Sequence, residues 1–326
     1  MRPRFYLLAF AVIVVVVLAA TGYLLFLCGD KGRPRGEAGT WAPYNWPIKP
    51  FDRPHPIRAN LDDPRMPNRH IDGPGPLSFH AGVDISAAGG TAVYAVAPGR
   101  VCTLDGESEG HPTTVGACGR GFEFAYSHIS PVVEKDQRLV KHQLLGYVIE
   151  RWGHLHFSEM WDGRTWNPLR AKGLTPYDDH TTPTIVSAMV YRHGRYLPAS
   201  GASLSGWVDL VVDAFDTPEL KSNWPWAKVT PALIRWSLLS EASGEMVVSN
   251  RIAADFRLNK LIAPLTDVFA PGTRQNGSKR AGVYNFWLVR ALDSSKLPNG
   301  AYKLIVRASD TRGNTASRTF RLTLSN

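Results

Sequence analysis

Two histidines one residue apart, in Gly153-His154-Leu155-His156-Phe157, constrain this 326-residue chain more than any other feature. Residues two apart on a β-strand point to the same face, so if 153–159 is extended the two imidazoles share one small site. Upstream, His80-Ala81-Gly82-Val83-Asp84 offers a third imidazole and a carboxylate. A zinc ion that catalyses hydrolysis takes about three nitrogen or carboxylate ligands and keeps one position open for water. These motifs can supply that set and still leave one imidazole to handle a proton. Ten histidines in the chain make some suggestive pairs by chance, and a single histidine on a strand is more often structural or simply exposed. The flanking residues therefore decide.

Around the first motif the chain reads Phe79-His80-Ala81-Gly82-Val83-Asp84-Ile85, followed by the glycine-bounded, valine- and alanine-rich stretch 90–101. Tyr126-Ser127-His128-Ile129 lies between the motifs, and Trp166-Asn167-Pro168-Leu169 follows the second. Over about 77–170 this resembles the LytM-like (M23, lysostaphin-type) zinc metallopeptidases, whose pattern is H-x-x-x-D, G-T-x-V-x-A-x-x-x-G-x-V, Y-x-H-L, H-L-H-F and N-P. The resemblance implies an antiparallel-β peptidase domain, one Zn2+ held by His80, Asp84 and His156, and His128 and His154 as the pair that orients and deprotonates water. It also implies an oxyanion-stabilising role for Tyr126. Two neutral imidazoles and one carboxylate would leave a zinc site near +1, which favours polarising a carbonyl and lowers the pKa of bound water. Histidine suits the proton work because its pKa lies near the operating pH.

The chain also departs from that family. Ser158 stands where Glu usually follows His-Leu-His-Phe, with Glu159 one residue later. The segment 147–153 is shorter and bulkier than the Gly/Ser/Thr-rich stretch usual before the second motif. Both changes bear on specificity more than on zinc, and they leave open a domain that binds without cutting. The 90–101 and 140–148 stretches also resemble the barrel-sandwich pattern of biotinyl and lipoyl carriers, but the chain has no Met-Lys-Met signature.

At the N-terminus, Arg2 and Arg4 precede an apolar run over 5–27, interrupted only by Thr21, Gly22 and Tyr23. Its length suits a membrane-spanning helix, and the leading arginines place the rest of the chain outside the cytoplasm. A retained signal-anchor over 1–28 is expected, giving a single-pass cell-membrane protein with its catalytic domain periplasmic or on the cell surface. Cleavage near Ala19 or Ala20 is the alternative, and Leu27 is too large for a normal lipobox before Cys28. If the strands carrying Cys102 and Cys118 pair, those cysteines meet as a disulfide, which suits an oxidising location.

Proline recurs through 29–76, which disfavours helix and central strand and suits an extended tether or wrapping arm. Trp41, Tyr44, Trp46 and Phe51 are expected to dock this arm on a neighbouring domain. The peptidase-like domain spans 77–178. From 183 to 326, alternating stretches at 185–191, 207–215, 233–239, 246–252, 284–289, 302–308 and 317–324 read as strands. Seven short strands suit a β-sandwich, and the ending resembles the last hairpin of immunoglobulin-like or fibronectin-like modules. Cell wall, an envelope protein partner and the peptidase domain itself are all open as its binding partners.

The fold expected is thus mainly β, with a membrane helix, a LytM-type domain and a C-terminal sandwich. A formal net charge of +9 suits an anionic envelope polymer or membrane surface; no basic run or nucleic-acid motif points to nucleic acid. The function expected is a membrane-anchored zinc endopeptidase acting on peptidoglycan peptides. A wall-binding or hydrolase-activating module of the same fold is the alternative.

Overall fold

Alternating burial along two strands places the core of the first half. In Val83–Ser86, Val83 and Ile85 are buried in one hydrophobic cluster with Leu155 and Phe157 of the neighbouring strand His154–Trp161, while Asp84 and His156 take the other face. A computed structural model describes residues 43–326 apart from 67, 68, 70, 107–112, 120, 227 and 278. All of these lie in one unit, Gly36–Asn326.

The first half is built on an eight-stranded antiparallel sheet. Its order runs Ile57–Ala59, Val83–Ser86, His154–Trp161, Phe122–Ser127, Thr114–Gly119, Gly99–Asp105 and Arg138–Leu139, with Arg164–Trp166 joined to His154–Trp161. A three-stranded sheet of Ala92–Tyr94, Leu144–Val148 and Ile129–Pro131 adds Val93, Ile129, Leu145 and Val148 to the same cluster. Phe124 stacks on Phe157 at 5.8 Å between centroids, and Tyr44 meets both rings edge-on. Cys102 and Cys118 are joined as a disulfide across adjacent strands.

The proline-rich segment is not a free tether where it is described. Tyr44, Trp46 and Ile48 are buried in the first cluster, Ile57–Ala59 forms the edge of the large sheet, and Pro64–Arg65 pairs with Ser78–Phe79. Trp41 and residues 29–42 lie outside the described residues.

The second half stacks two sheets. One orders Arg195–Pro198, Thr184–Arg192, Trp207–Phe215 and Asn285–Asp293; the other orders Ser203–Leu204, Thr315–Leu324, Gly300–Ser309, Leu233–Ser240 and Met246–Asp255. Val208, Leu210 and Val212 of the first sheet meet Ile234, Trp236, Leu304 and Val306 of the second in one cluster, which also takes in Met66, Ile71 and Phe79 from the preceding segment. All seven expected strands are present. The irregular stretch 253–282 contributes Phe256, Leu265, Val268 and Phe269 to this core.

The mainly-β expectation holds, but the membrane-spanning helix and the single-pass membrane location do not. Among the described residues no helix is long and apolar enough to cross a membrane, the only helical turns being two three-residue 3-10 segments. Residues 5–27, on which that expectation rested, lie outside the described residues.

One buried ion pair ties the arm to the sheet. Arg170 donates through Nη1 and Nη2 to the two carboxylate oxygens of Glu159, both at 2.6 Å, and the Tyr44 hydroxyl donates to Glu159 Oε2 at 2.5 Å. Both ionic side chains are about 95% buried (5% and 4% exposed). Removing one partner strands the other charge in the core. Arg170→Ala is therefore expected to cost about 3–5 kcal/mol of stability, read from the urea midpoint; a change below about 1 kcal/mol would contradict this account.

Candidate metal centre

Sheet register brings the two motifs together. His156 lies directly opposite Asp84 on one side and Ser127 on the other, and His154 lies opposite Ser86. His80 enters from the turn before Val83–Ser86. The result is a cluster around one carboxylate oxygen: Asp84 Oδ1 is 3.1 Å from His80 Nε2, 3.0 Å from His156 Nδ1 and 3.6 Å from His154 Nε2. His80 Nε2 and His156 Nδ1 are 2.8 Å apart. Asp84, His80 and His154 are nearly inaccessible, at 6%, 4% and 4% exposure.

Backbone carbonyls fix the tautomers of two of these rings. His80 Nδ1 lies 2.8 Å from the Asn60 carbonyl oxygen. A carbonyl only accepts, so Nδ1 carries the proton and Nε2 turns a lone pair towards Asp84. The Trp152 carbonyl does the same for His154 Nδ1 at 2.8 Å. His156 Nε2 lies 2.9 Å from Ser158 Oγ, leaving Nδ1 facing the cluster. Arg65 Nη2 donates to the outer oxygen, Asp84 Oδ2, at 2.9 Å.

The electrostatics keep these groups in their metal-binding states. Burial lowers the His80 imidazole to about 3, Arg65 adding to the shift while Asp84 opposes it. Burial also lowers His154. For His128, burial together with the neighbouring His154 and His156 lowers the ring to about 3. Burial pushes Asp84 up, but His80, Arg65 and His154 more than reverse this, and the carboxyl lies well below its ordinary range. Metal binding requires neutral imidazole and ionised carboxylate, and near neutral pH His80 and Asp84 are in that state.

The residues fit a zinc ion. Two imidazole nitrogens and one carboxylate oxygen converge from His80, His156 and Asp84, the ligand types zinc takes, and each ligand is held from behind by Asn60, Ser158 or Arg65, the outer partners that metal ligands characteristically have.

His128 and His154 flank this set. His128 follows Phe122–Ser127 with φ +67°, and its ring centroid lies 4.5 Å from that of His154 and 6.1 Å from that of His156. Tyr126 is not brought to the cluster. It pairs with Phe157, is fully buried among the core aromatics, and its hydroxyl accepts the Val96 N–H at 2.9 Å. Asn60, Arg65 and Trp152 touch the site with no signal of their own in the sequence; Ser158, noted there as a departure from the family pattern, is the third same-face residue after His154 and His156 and proves to touch His156.

Residues 78–168 match the family model for peptidase family M23. These residues belong to that family. Among solved structures, the chain is similar to Helicobacter pylori Csd3 at 24% identity, covering 39% of this chain and 33% of that one with a TM-score of 0.31. A zinc-containing peptidase from Vibrio cholerae aligns at 20% identity over 40% of this chain and 41% of that one, TM-score 0.33. Lysostaphin aligns at 13% identity over 61% of this chain and 95% of that one, TM-score 0.31. The first two likenesses thus span less than half of those proteins. No curated protein matches the chain. The family match ends at 168 and lends nothing to the immunoglobulin-like label expected for 183–326.

Ser158→Ala removes only the hydroxyl behind His156. It is expected to weaken zinc binding by about 10–100-fold, the usual loss for an outer partner of a ligand, measured by competition with a chromogenic chelator. Unchanged affinity would remove Ser158 from the site.

Proposed function

We propose that the chain is an extracytoplasmic zinc metalloendopeptidase that hydrolyses peptide stems or cross-bridges of peptidoglycan. His80, Asp84 and His156 are its zinc ligands, and His128 and His154 handle protons. The observation that carries this reading is the complete, convergent donor set with two further imidazoles beside it, within a stretch matching family M23. The Cys102–Cys118 disulfide supports a location outside the cytoplasm.

Zinc bound there would supply Lewis-acid polarisation of the scissile carbonyl and a water of lowered pKa. The chain's own residues do the rest. His154 has its proton fixed on Nδ1 by the Trp152 carbonyl, so its Nε2, 3.6 Å from Asp84 Oδ1, is a free base facing the reaction centre. His128, neutral and adjacent, is placed to exchange a proton with the substrate or the leaving amine. Arg65 holds Asp84 by its outer oxygen and keeps the inner one directed at the ligand cluster. Tyr126 has no part in the proposal, because it lies fully buried in the core cluster, opposite Phe157 and on the face away from His156.

The purified chain is expected to carry about one zinc and to lose it on His80→Ala or Asp84→Ala; equal zinc in all three would end the ligand assignment. It should release new amino and carboxyl ends from peptidoglycan, stop with a chelator and recover with zinc. His128→Ala and His154→Ala should keep their zinc while activity falls by about 10²–10⁴-fold. If the zinc-loaded protein sediments with every wall type and cuts none, the wall-binding reading replaces the enzyme.

A further inference from the structure

The shortened segment before His154 makes contacts that the family match does not explain. Ile149 N–H donates to the His128 carbonyl at 2.9 Å, and Trp152 N–H closes a turn on the Ile149 carbonyl at 3.0 Å. Gly153, at φ +61°, then redirects the chain into the strand that carries His154, in a conformation glycine adopts without strain. Trp152 thereby faces both non-ligand histidines. Its carbonyl oxygen takes the His154 Nδ1–H at 2.8 Å. Its indole stacks on His128, centroids 4.2 Å apart and planes at 27°.

The stacking matters because little besides ring contacts is seen to orient His128 among the described residues. Its Nδ1 is buried and makes no hydrogen bond among the described residues, and it sits at a positive φ just beyond a strand end. Its orientation rests on the rings against it, of which Trp152 lies closest.

Two groups from outside the matched residues hold this segment in place. Arg58, from the edge strand Ile57–Ala59, donates through Nη1 to the same Trp152 carbonyl at 3.2 Å. Arg58 also lies over the Trp224 ring at 4.5 Å. Asn223 donates through Nδ2 to the Gly153 carbonyl at 3.2 Å and accepts from Ser86 Oγ at 3.0 Å. Asn223 and Trp224 belong to the excursion between Asp216 and Val229 of the second half, which the paired backbone bonds of those two residues close at 2.8 and 3.0 Å.

We propose that Trp152 is a positioning residue for both His128 and His154, and that Arg58 and Asn223 anchor it from either side, making the second β half a working part of the site. The kinetic part rests on the hydrolytic reading above; the geometric part does not. A mere packing interface would use the same contacts, so the test must read ring placement directly.

The experiment uses the full zinc-loaded chain and its Trp152→Ala, Trp152→Phe, Asn223→Ala and Asn223→Asp variants, with zinc content and melting as fold controls. Imidazole C–H resonances of His128 and His154 are recorded by NMR, and kcat and KM are measured on a soluble cross-linked muropeptide. Trp152→Ala should shift the His128 resonances and lower kcat by about 10²-fold, the loss expected for a misplacement on the order of 1 Å, with KM within about two-fold. Trp152→Phe should restore most of it, since an aromatic ring remains to stack on His128, while the backbone carbonyl that holds His154 is kept in both variants. Both Asn223 variants should shift the His154 resonances and lower kcat alike, because neither can donate to Gly153, although Asp still accepts from Ser86.

Unmoved resonances in the Asn223 variants would overturn the role of the second half. A change confined to KM on Trp152→Ala would overturn the positioning role and make Trp152 a substrate contact. If the wild-type chain cuts nothing, the hydrolytic reading falls while the resonances alone decide the positioning.

Discussion

A carboxylate buried on the second strand of the large sheet is the constraint around which the first half is arranged. Asp84 is 6% exposed, and an unpaired charge there would be strongly destabilising. Its surroundings come from separate parts of the chain: the Arg65 guanidinium of the Pro64–Arg65 strand pairs the outer oxygen, while His80 from the preceding turn and His154 and His156 from the neighbouring strand gather at the inner one. No single local segment supplies them all. Arg65 lets the carboxylate remain ionised without metal, while the inner oxygen and the imidazole lone pairs still face one point. The scaffold and the donor set are therefore the same interactions.

This gives the arm a definite physical role. Its turn at 60–63 joins three regions at once. The Asn60 carbonyl accepts from His80; Asp63 accepts from the Thr230 N–H and hydroxyl at 2.8 and 2.6 Å; Asp62 accepts from the Leu261 N–H at 3.1 Å. A chain begun at Leu77 would lose these bonds, Arg65, the Ile57–Ala59 edge strand and the buried Tyr44, Trp46 and Ile48. The arm is structural support for the candidate ligand cluster.

Strand parity explains what the sequence could and could not tell. His154, His156 and Asp84 were legible because a two-residue period forces them to one face once Leu155, Phe157, Val83 and Ile85 take the core. The same parity argues against Tyr126, since it shares a face with Phe122 and Phe124 and so belongs inside. His128 escapes the rule because the strand ends at Ser127 and φ turns positive. In the second half the strands were legible as alternating stretches, but their pairing was not. Contacts such as Asn223 to Gly153, seventy residues apart, depend on how two sheets meet and leave no mark in local pattern.

Parity also accounts for the departure at Ser158. The position after Phe157 faces the site, so the Glu usual there in the family would set a second carboxylate beside His156. Ser158 instead offers a neutral oxygen 2.9 Å from Nε2. A neutral partner pushes less electron density through the ring than a carboxylate does, so a cation held by His156 would be more electron-poor there and would acidify water more strongly. The carboxylate one residue on, Glu159, falls on the opposite face, where it must be paired to be buried at all. Arg170 and Tyr44 supply that pairing. One step along the strand thus separates the two chemistries: a hydroxyl beside a candidate metal ligand and a buried ion pair that, with Tyr44, fastens the arm to the sheet.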